Sequence, residues 1–183
     1  MKTAIKTLAM LLLAVAPMLG RAQDNQFFRE IRDIVTQEDE NGNTGLSLFS
    51  MPEEGQDHYY LSVGNLGIGD EIIQINFDPV FNLFIPLGDT LDEAQQKLEE
   101  LNMLAKQPKG TVLETEGCLA FPYPNDDLET VTVTSRRTFF IFKKLEFSVI
   151  HGGLLRSTYI SRSEISSMIT SLKIYRHLHP SEQ

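Results

Sequence analysis

The sequence predicts an α+β domain, a mainly antiparallel sheet of about seven strands with helices packed on one face. Two segments, residues 90–106 and 161–172, repeat apolar side chains at helical spacing behind capping-box signatures. The stretch between residues 111 and 160 is rich in β-branched and aromatic residues and is cut by turn signals. Short connections between strands favour hairpins, and strand runs bracketed by helices are the order expected when helices cover an antiparallel sheet.

Residues 1–22, MKTAIKTLAMLLLAVAPMLGRA, carry Lys2 and Lys6, an apolar run from Leu8 to Leu19, and small residues Gly20 and Ala22. This is the three-part pattern of a secretory signal peptide, with cleavage expected between Ala22 and Gln23. The apolar run is shorter than the ~20 residues that span a bilayer, and no later segment reaches that length, so no transmembrane segment is expected after cleavage. The mature chain, residues 23–183, reads as one domain of the periplasm or the exterior. Removal of Lys2, Lys6 and Arg21 leaves 13 basic against 25 acidic residues, a net charge of −12. Such a surface repels phosphate backbones, so nucleic acid is not an expected partner. Cys118 is the single cysteine, which excludes an internal disulfide.

The first element expected is a short helix from Asn25 to Val35, with Phe27, Ile31, Ile34 and Val35 on one side. TQEDENGNTG ends it. Gly45–Met51 and His58–Val63 follow as a hairpin about MPEEGQD, and residues 71–77 alternate as a strand that would pair back across GNLGIG. VFNLFIPLG continues as an extended segment, because Pro79 and Pro86 exclude a helix interior. Thr90 and Glu93 cap the next helix, whose stripe is Leu91, Ala94, Leu98, Leu101 and Ala105. Gln107-Pro108 and Gly110 stop it.

GTVLETEGCLAF and LETVTVTS are strands separated by YPNDD, and KLEFSVI and LLRSTYI form a hairpin about His151-Gly152-Gly153. Between them, RRTFFIFKK is either a strand buried on both faces or a bend between two shorter ones, which periodicity leaves open. Ser161 and Glu164 cap the last helix, with Ile165, Met168, Ile169 and Leu172 as its buried stripe.

Several motifs invite a functional reading. GNLGIGDEIIQINFD places Gly64, Gly67 and Gly69 ahead of a carboxylate pair and a strand, whereas a phosphate loop needs a helix N-terminus there. A turn with positive φ at one of these glycines is the expectation. EDENGN clusters oxygens, but an EF-hand loop starting at Asp39 would need glycine and glutamate where Thr44 and Ser50 stand. Cys118 and His151 are the only thiol–base pair available, and GCLAF reads as a buried strand, which suits an inert thiol. His58 heads a strand, and His177 and His179 diverge on a helix, so no metal site is expected. Glu114, Glu116, Glu129 and Glu146 lie on strands; Glu114 and Glu116 share a face, taken to be the solvent side. Phe81, Phe84, Phe121, Tyr123, Phe139, Phe140, Phe142 and Phe147 suffice to fill a core and to line a groove.

The signal segment ending GRA-Q, together with FIPLGDTLDEAQQKLEEL after a short strand, resembles small exported proteins of unknown function typical of Bacteroidota. The resemblance covers the signal and the middle of the chain and implies no activity. A capped helix followed by an antiparallel sheet is also similar to the exported domains related to β-lactamase inhibitor proteins, an analogy of fold alone. The function expected is therefore that of an exported, non-enzymatic binding or interaction domain with a protein or peptide partner in the cell envelope, without catalytic residues, cofactor or metal. Two alternatives stay open: a carrier of an apolar small molecule or lipid between sheet and helices, and a hydrolase using paired carboxylates.

Overall fold

An antiparallel sheet and two helices make up the fold in the computed structural model, which describes residues 32–38, 44–53, 55–64, 66–68, 82–120, 124–138 and 142–180. In chain order the elements are β1 (Arg32–Glu38), β2 (Thr44–Glu53), β3 (Gln56–Val63), β4 (Gly67–Ile68), β5 (Asn82–Gly88), α1 (Leu91–Leu104), β6 (Val112–Ala120), β7 (Glu129–Thr138), β8 (Phe142–His151), β9 (Leu154–Ser161) and α2 (Arg162–Leu178). The sheet order is β1-β2-β3-β5-β6-β7-β8-β9-β4, and every pairing is antiparallel. Among the described residues there are thus eight strands of seven residues or more and a ninth of two, where about seven were expected.

The first extra strand corrects the expected helix from Asn25 to Val35. Residues 32–38 form β1 on the edge of β2, and the register skips between Asp33 and Val35, so Ile34 is an inserted bulge residue. A bulge lets two consecutive side chains turn to one side. Both Ile34 and Val35 pack against the core, which is the adjacency that imitates a helical stripe in the sequence. The remainder of that segment, residues 25–31, lies outside the described residues.

The second correction concerns the glycine loop. The Gly64 amide donates to the Gly45 carbonyl at 3.0 Å, which prolongs the β2–β3 ladder. Gly67 and Ile68 then pair with Ser157 and Arg156 of β9, and the neighbour of β3 is β5, not a strand reached by a tight turn. Residues 69–81, including the expected strand at 71–77, lie outside the described residues.

Four strands separate β3 from β9 in the sheet order, yet Thr158 Oγ1 of β9 donates to the Gly64 carbonyl at 3.2 Å. With strands about 4.8 Å apart, a flat sheet would hold these segments more than ~20 Å apart. The sheet therefore curls. α2 lies where the curl brings its two ends near each other: it follows β9 directly, and Gln37 of β1 donates to the Glu164 carbonyl at 3.1 Å. The strands therefore make a curved layer and not a flat one.

Both helices form where their caps and stripes require. Thr90 Oγ1 accepts from the Glu93 amide at 3.2 Å, while Glu93 Oε2 accepts from the Asp89 amide, one residue before the cap. At α2 the capping box is complete, with Ser161 Oγ accepting from the Glu164 amide and Glu164 Oε2 accepting from the Ser161 amide. Leu91, Ala94, Leu98, Leu101 and Leu104 of α1 and Ile165, Met168, Ile169 and Leu172 of α2 are buried. They join Leu48, Leu61, Leu83, Leu145 and Phe147 in one cluster, each buried leucine contributing about 2 kcal/mol. A polar seam runs beside it: Arg176 meets Gln95 and Asp92 at one end, and Asn102 accepts from Arg162 and Ser166 at the other, so the helices are antiparallel. Midway, Gln95 and then Lys173 hydrogen-bond the Glu99 carboxylate and hold its pKa below the usual value.

The hairpins settle two further expectations. Gly152 and Gly153 have φ of 60° and 78°, as a two-residue turn between His151 and Leu154 requires. Within RRTFFIFKK, Arg137 pairs with Lys143 and Thr138 with Phe142, so β7 and β8 are two separate strands and not one; residues 139–141 between them lie outside the described residues.

Candidate functional site

Among the described residues, the ladder between β5 and β6 is broken off early. β5 pairs with β6 over only three residue pairs, Asn82 with Ala120, Leu83 with Leu119, and Phe84 with Cys118. Beyond Phe84, β5 stays with β3 while β6 continues along β7 as far as Val112. The two strands diverge at Gly117, where an added Cβ would lie 2.8 Å from the Phe84 carbonyl oxygen and 2.8 Å from Val131 Cγ2. Glycine at this position allows the backbones to approach before they part.

The divergence leaves a groove of about 230 Å³, floored by Ile85 and Leu87 of β5, Leu101 of α1 and Leu113 of β6, with Thr115, Lys97, Glu100 and Glu114 around it. α1 lies here because it follows β5 after only Asp89 and Thr90, too short a link to carry it elsewhere. Along β6, Leu113 and Thr115 turn partly inward while Glu114 and Glu116 are exposed. On the β5 side, Lys97 Nζ donates to the Pro86 carbonyl at 3.1 Å, and Pro86 has no amide hydrogen of its own. Every second residue of β6 from Val112 to Glu116 points its amide and carbonyl away from β7, toward the groove. Neither Glu100, Glu114 nor Glu116 has an ion-pair partner among the described residues.

The residues singled out in the sequence fall elsewhere, apart from Glu114. Cys118 is fully buried with Phe49, Met51, Phe84 and Ala120 in a second cluster. Burial pushes its thiol pKa up, against a backbone hydrogen bond from Asn125 and with the carboxylates of Asp126, Glu129 and Asp127 adding to the rise. His151 is bonded to Glu129 at 3.0 Å, and His58 to Asp89 at 2.7 Å. His179 stacks on Tyr175 and contacts the Tyr175 carbonyl at 2.9 Å. Among the described residues no three His, Cys, Asp or Glu side chains gather as metal ligands would.

Glu146, the strand glutamate of β8, lies in the interior. It is 5% exposed, and it persists as a buried carboxylate because Arg136 binds one oxygen and the Tyr159 hydroxyl donates to the other at 3.0 Å. Lys144 in turn lies 3.7 Å from the Tyr159 ring centre. These are neighbours across the β7–β8–β9 ladders, so the network ties strands together. Phe147 is core, Phe84 belongs to the second cluster, and Phe142 is exposed. Phe81, Phe121, Tyr123, Phe139 and Phe140, the EDENGN oxygens at 39–43 and the Ala22–Gln23 junction lie outside the described residues.

Sequence reasoning missed the groove because no motif marks it: Ile85, Leu87, Lys97, Glu100 and Leu101 each read as ordinary members of a strand or a helix. One signal was available, the glycine inside the otherwise strand-like GTVLETEGCLAF, since glycine in a strand interior often marks a close backbone approach. Among the described residues no helix is long and apolar enough to cross a membrane. No protein-family model, no curated protein and no solved structure matches the chain.

Proposed function

We propose that this is an exported, non-enzymatic binding domain that takes a protein or peptide partner in the periplasm or at the cell surface. The observation that carries the reading is the groove between β5 and β6, where an apolar floor, unpaired carboxylates and a strand margin occur together. Apolar area with a few placed polar groups is the composition of a recognition site. In this reading both helices serve as one layer backing the sheet, α1 supplying the wall of the groove. The signal-like pattern of residues 1–22 supports the exported setting.

The two alternatives find less support. A lipid carrier calls for a cavity lined by phenylalanines, whereas Phe147 is packed in the core and the groove is below the ~300–1,000 Å³ of a small-molecule site. A hydrolase calls for convergent strand carboxylates; among the described strand glutamates Glu114 lines the groove, its neighbour Glu116 on the same face stands beyond the lining, and Glu129 and Glu146 are engaged by His151 and Arg136.

Affinity capture from the cell envelope tests the reading, with bound proteins and lipids both identified by mass, using the wild type and a Glu100→Lys/Glu114→Lys variant. A protein retained by the wild type and lost by the variant is the expected result. A stoichiometric lipid with no protein would overturn it. Sequencing the N-terminus of the recovered protein checks export, with Gln23 expected first.

A further inference from the structure

We infer that the partner is an extended, cationic segment of polypeptide that adds to β6 as a further strand, its apolar side chains entering the groove; this rests on the proposed binding function and specifies its chemistry. The first support is the backbone. Val112–Glu116 of β6 is paired on one side by β7, and on the other side it faces the groove, since its ladder with β5 ends at Cys118. An antiparallel strand left without a neighbour presents alternate amides and carbonyls, a pattern that an extended backbone satisfies and a compact ligand does not. β5 is the poorer edge across the groove, because Pro86 lacks an amide hydrogen and Lys97 already takes its carbonyl.

The side chains fix the chemistry of the occupant. A strand laid beside β6 places its alternate residues next to Glu114 and Glu116 on one face, and the residues between them next to Leu113 and Thr115 on the other. The first face carries two exposed carboxylates without ion-pair partners among the described residues, about 7 Å apart for residues two apart on a strand. The second leads to Leu101, Leu87 and Ile85. The complementary sequence is therefore Lys or Arg alternating with an apolar residue. A second copy of this chain is a poor occupant: pairing two β6 edges would oppose Glu114 and Glu116 with their own kind, which is repulsive in cross-strand positions.

The test is a titration of the purified protein, labelled with ¹⁵N and at its methyl groups, with an end-blocked seven-residue peptide alternating Lys and Val. Two further peptides serve as controls: the same sequence N-methylated at alternate residues, and one alternating Glu and Val. The Lys–Val peptide is expected to bind with chemical-shift changes at Leu113–Glu116 and at the Leu101 and Ile85 methyls. Amide exchange in β6 should slow at least tenfold, and affinity should fall at least tenfold on N-methylation, on replacing Lys by Glu, and in a Glu114→Lys/Glu116→Lys protein. Equal binding of the methylated peptide, or methyl shifts without amide protection, would overturn strand addition and leave the groove as a binding site. Absence of binding by the Lys–Val peptide would also overturn it, while the capture experiment above independently decides the broader reading.

Discussion

Gly117 and Phe84 approach so closely that a β-carbon on Gly117 would stand 2.8 Å from the Phe84 carbonyl oxygen. That oxygen is backbone and cannot swing away as a side chain would. The β5–β6 ladder ends beside this contact, so the groove and the contact share one origin. Gly117→Ala is expected to cost about 1–3 kcal/mol through overpacking. Gly45→Ala makes the control, because a β-carbon there meets nothing within 4 Å and the change should fall within about 1 kcal/mol of neutral. Urea midpoints of the two variants check this; equal loss would show that the close approach is relaxed at little cost.

The helix caps give a second expectation. Removing the hydroxyl in Thr90→Ala or Ser161→Ala leaves an N-terminal amide of the helix without its acceptor, at about 1 kcal/mol each. Thr90 begins α1 and Ser161 begins α2, and these helices run antiparallel, so the two sites share no partner. The double variant should lose the sum of the single losses to within about 0.5 kcal/mol, measured by thermal or urea unfolding.

Cys118 sets a pH dependence. Its folded thiol keeps its proton to higher pH than the unfolded one, because burial disfavours the thiolate. The associated stability is fully present below the unfolded value near pH ~8.5, and it is lost as pH rises from there toward the raised folded value. Wild-type stability should therefore fall more steeply than that of Cys118→Ala between about pH 8 and 10. A thiol reagent at neutral pH should leave the native protein unlabelled and react promptly in denaturant. Rapid labelling of the native state would refute the buried placement.

The seam between the helices separates two kinds of polar contact. Asn102→Ala removes the acceptor shared by Arg162 and Ser166 in a partly buried setting and should cost about 1 kcal/mol. Asp92→Ala removes an ion-pair partner of Arg176 that is 79% exposed, so its effect should stay below about 0.5 kcal/mol and vanish in high salt. Melting temperatures at low and high salt distinguish the two.

The sequence rendered the helices well and the sheet unevenly, for physical reasons visible at particular residues. A helix is a local object, and Thr90, Ser161 and their stripes carry its start, face and end within a few turns. Hairpins about Gly55 and Gly152-Gly153 were equally readable, since positive φ at a tight turn demands such residues. β1 was misread because a bulge at Ile34 puts neighbours on one side, and only the presence of β2 makes extension favourable. The route of Gly67–Ile68 to β9 was unreadable, because its cause lies in a partner about ninety residues away. The groove was hidden for the same reason: it is made by an absence of pairing between β5 and β6, and no residue pattern encodes a missing neighbour.

The pairing of β4 with β9 bears on the order in which the chain can assemble. Thr158 reaches back 94 residues to Gly64, and the carbonyl of Glu164 is held by Gln37 across 127. The early segments, whose ladders run among β1, β2, β3 and β5, thus receive a few further hydrogen bonds and part of their apolar cover from the last thirty residues, including Ile160, Ile165, Met168 and Leu172. Contacts of such long sequence separation slow folding, since the chain must close large loops before they form. A nascent chain ending before β9 would remain unfinished and open. Folding would then be completed only after β9 and the last helix have been made.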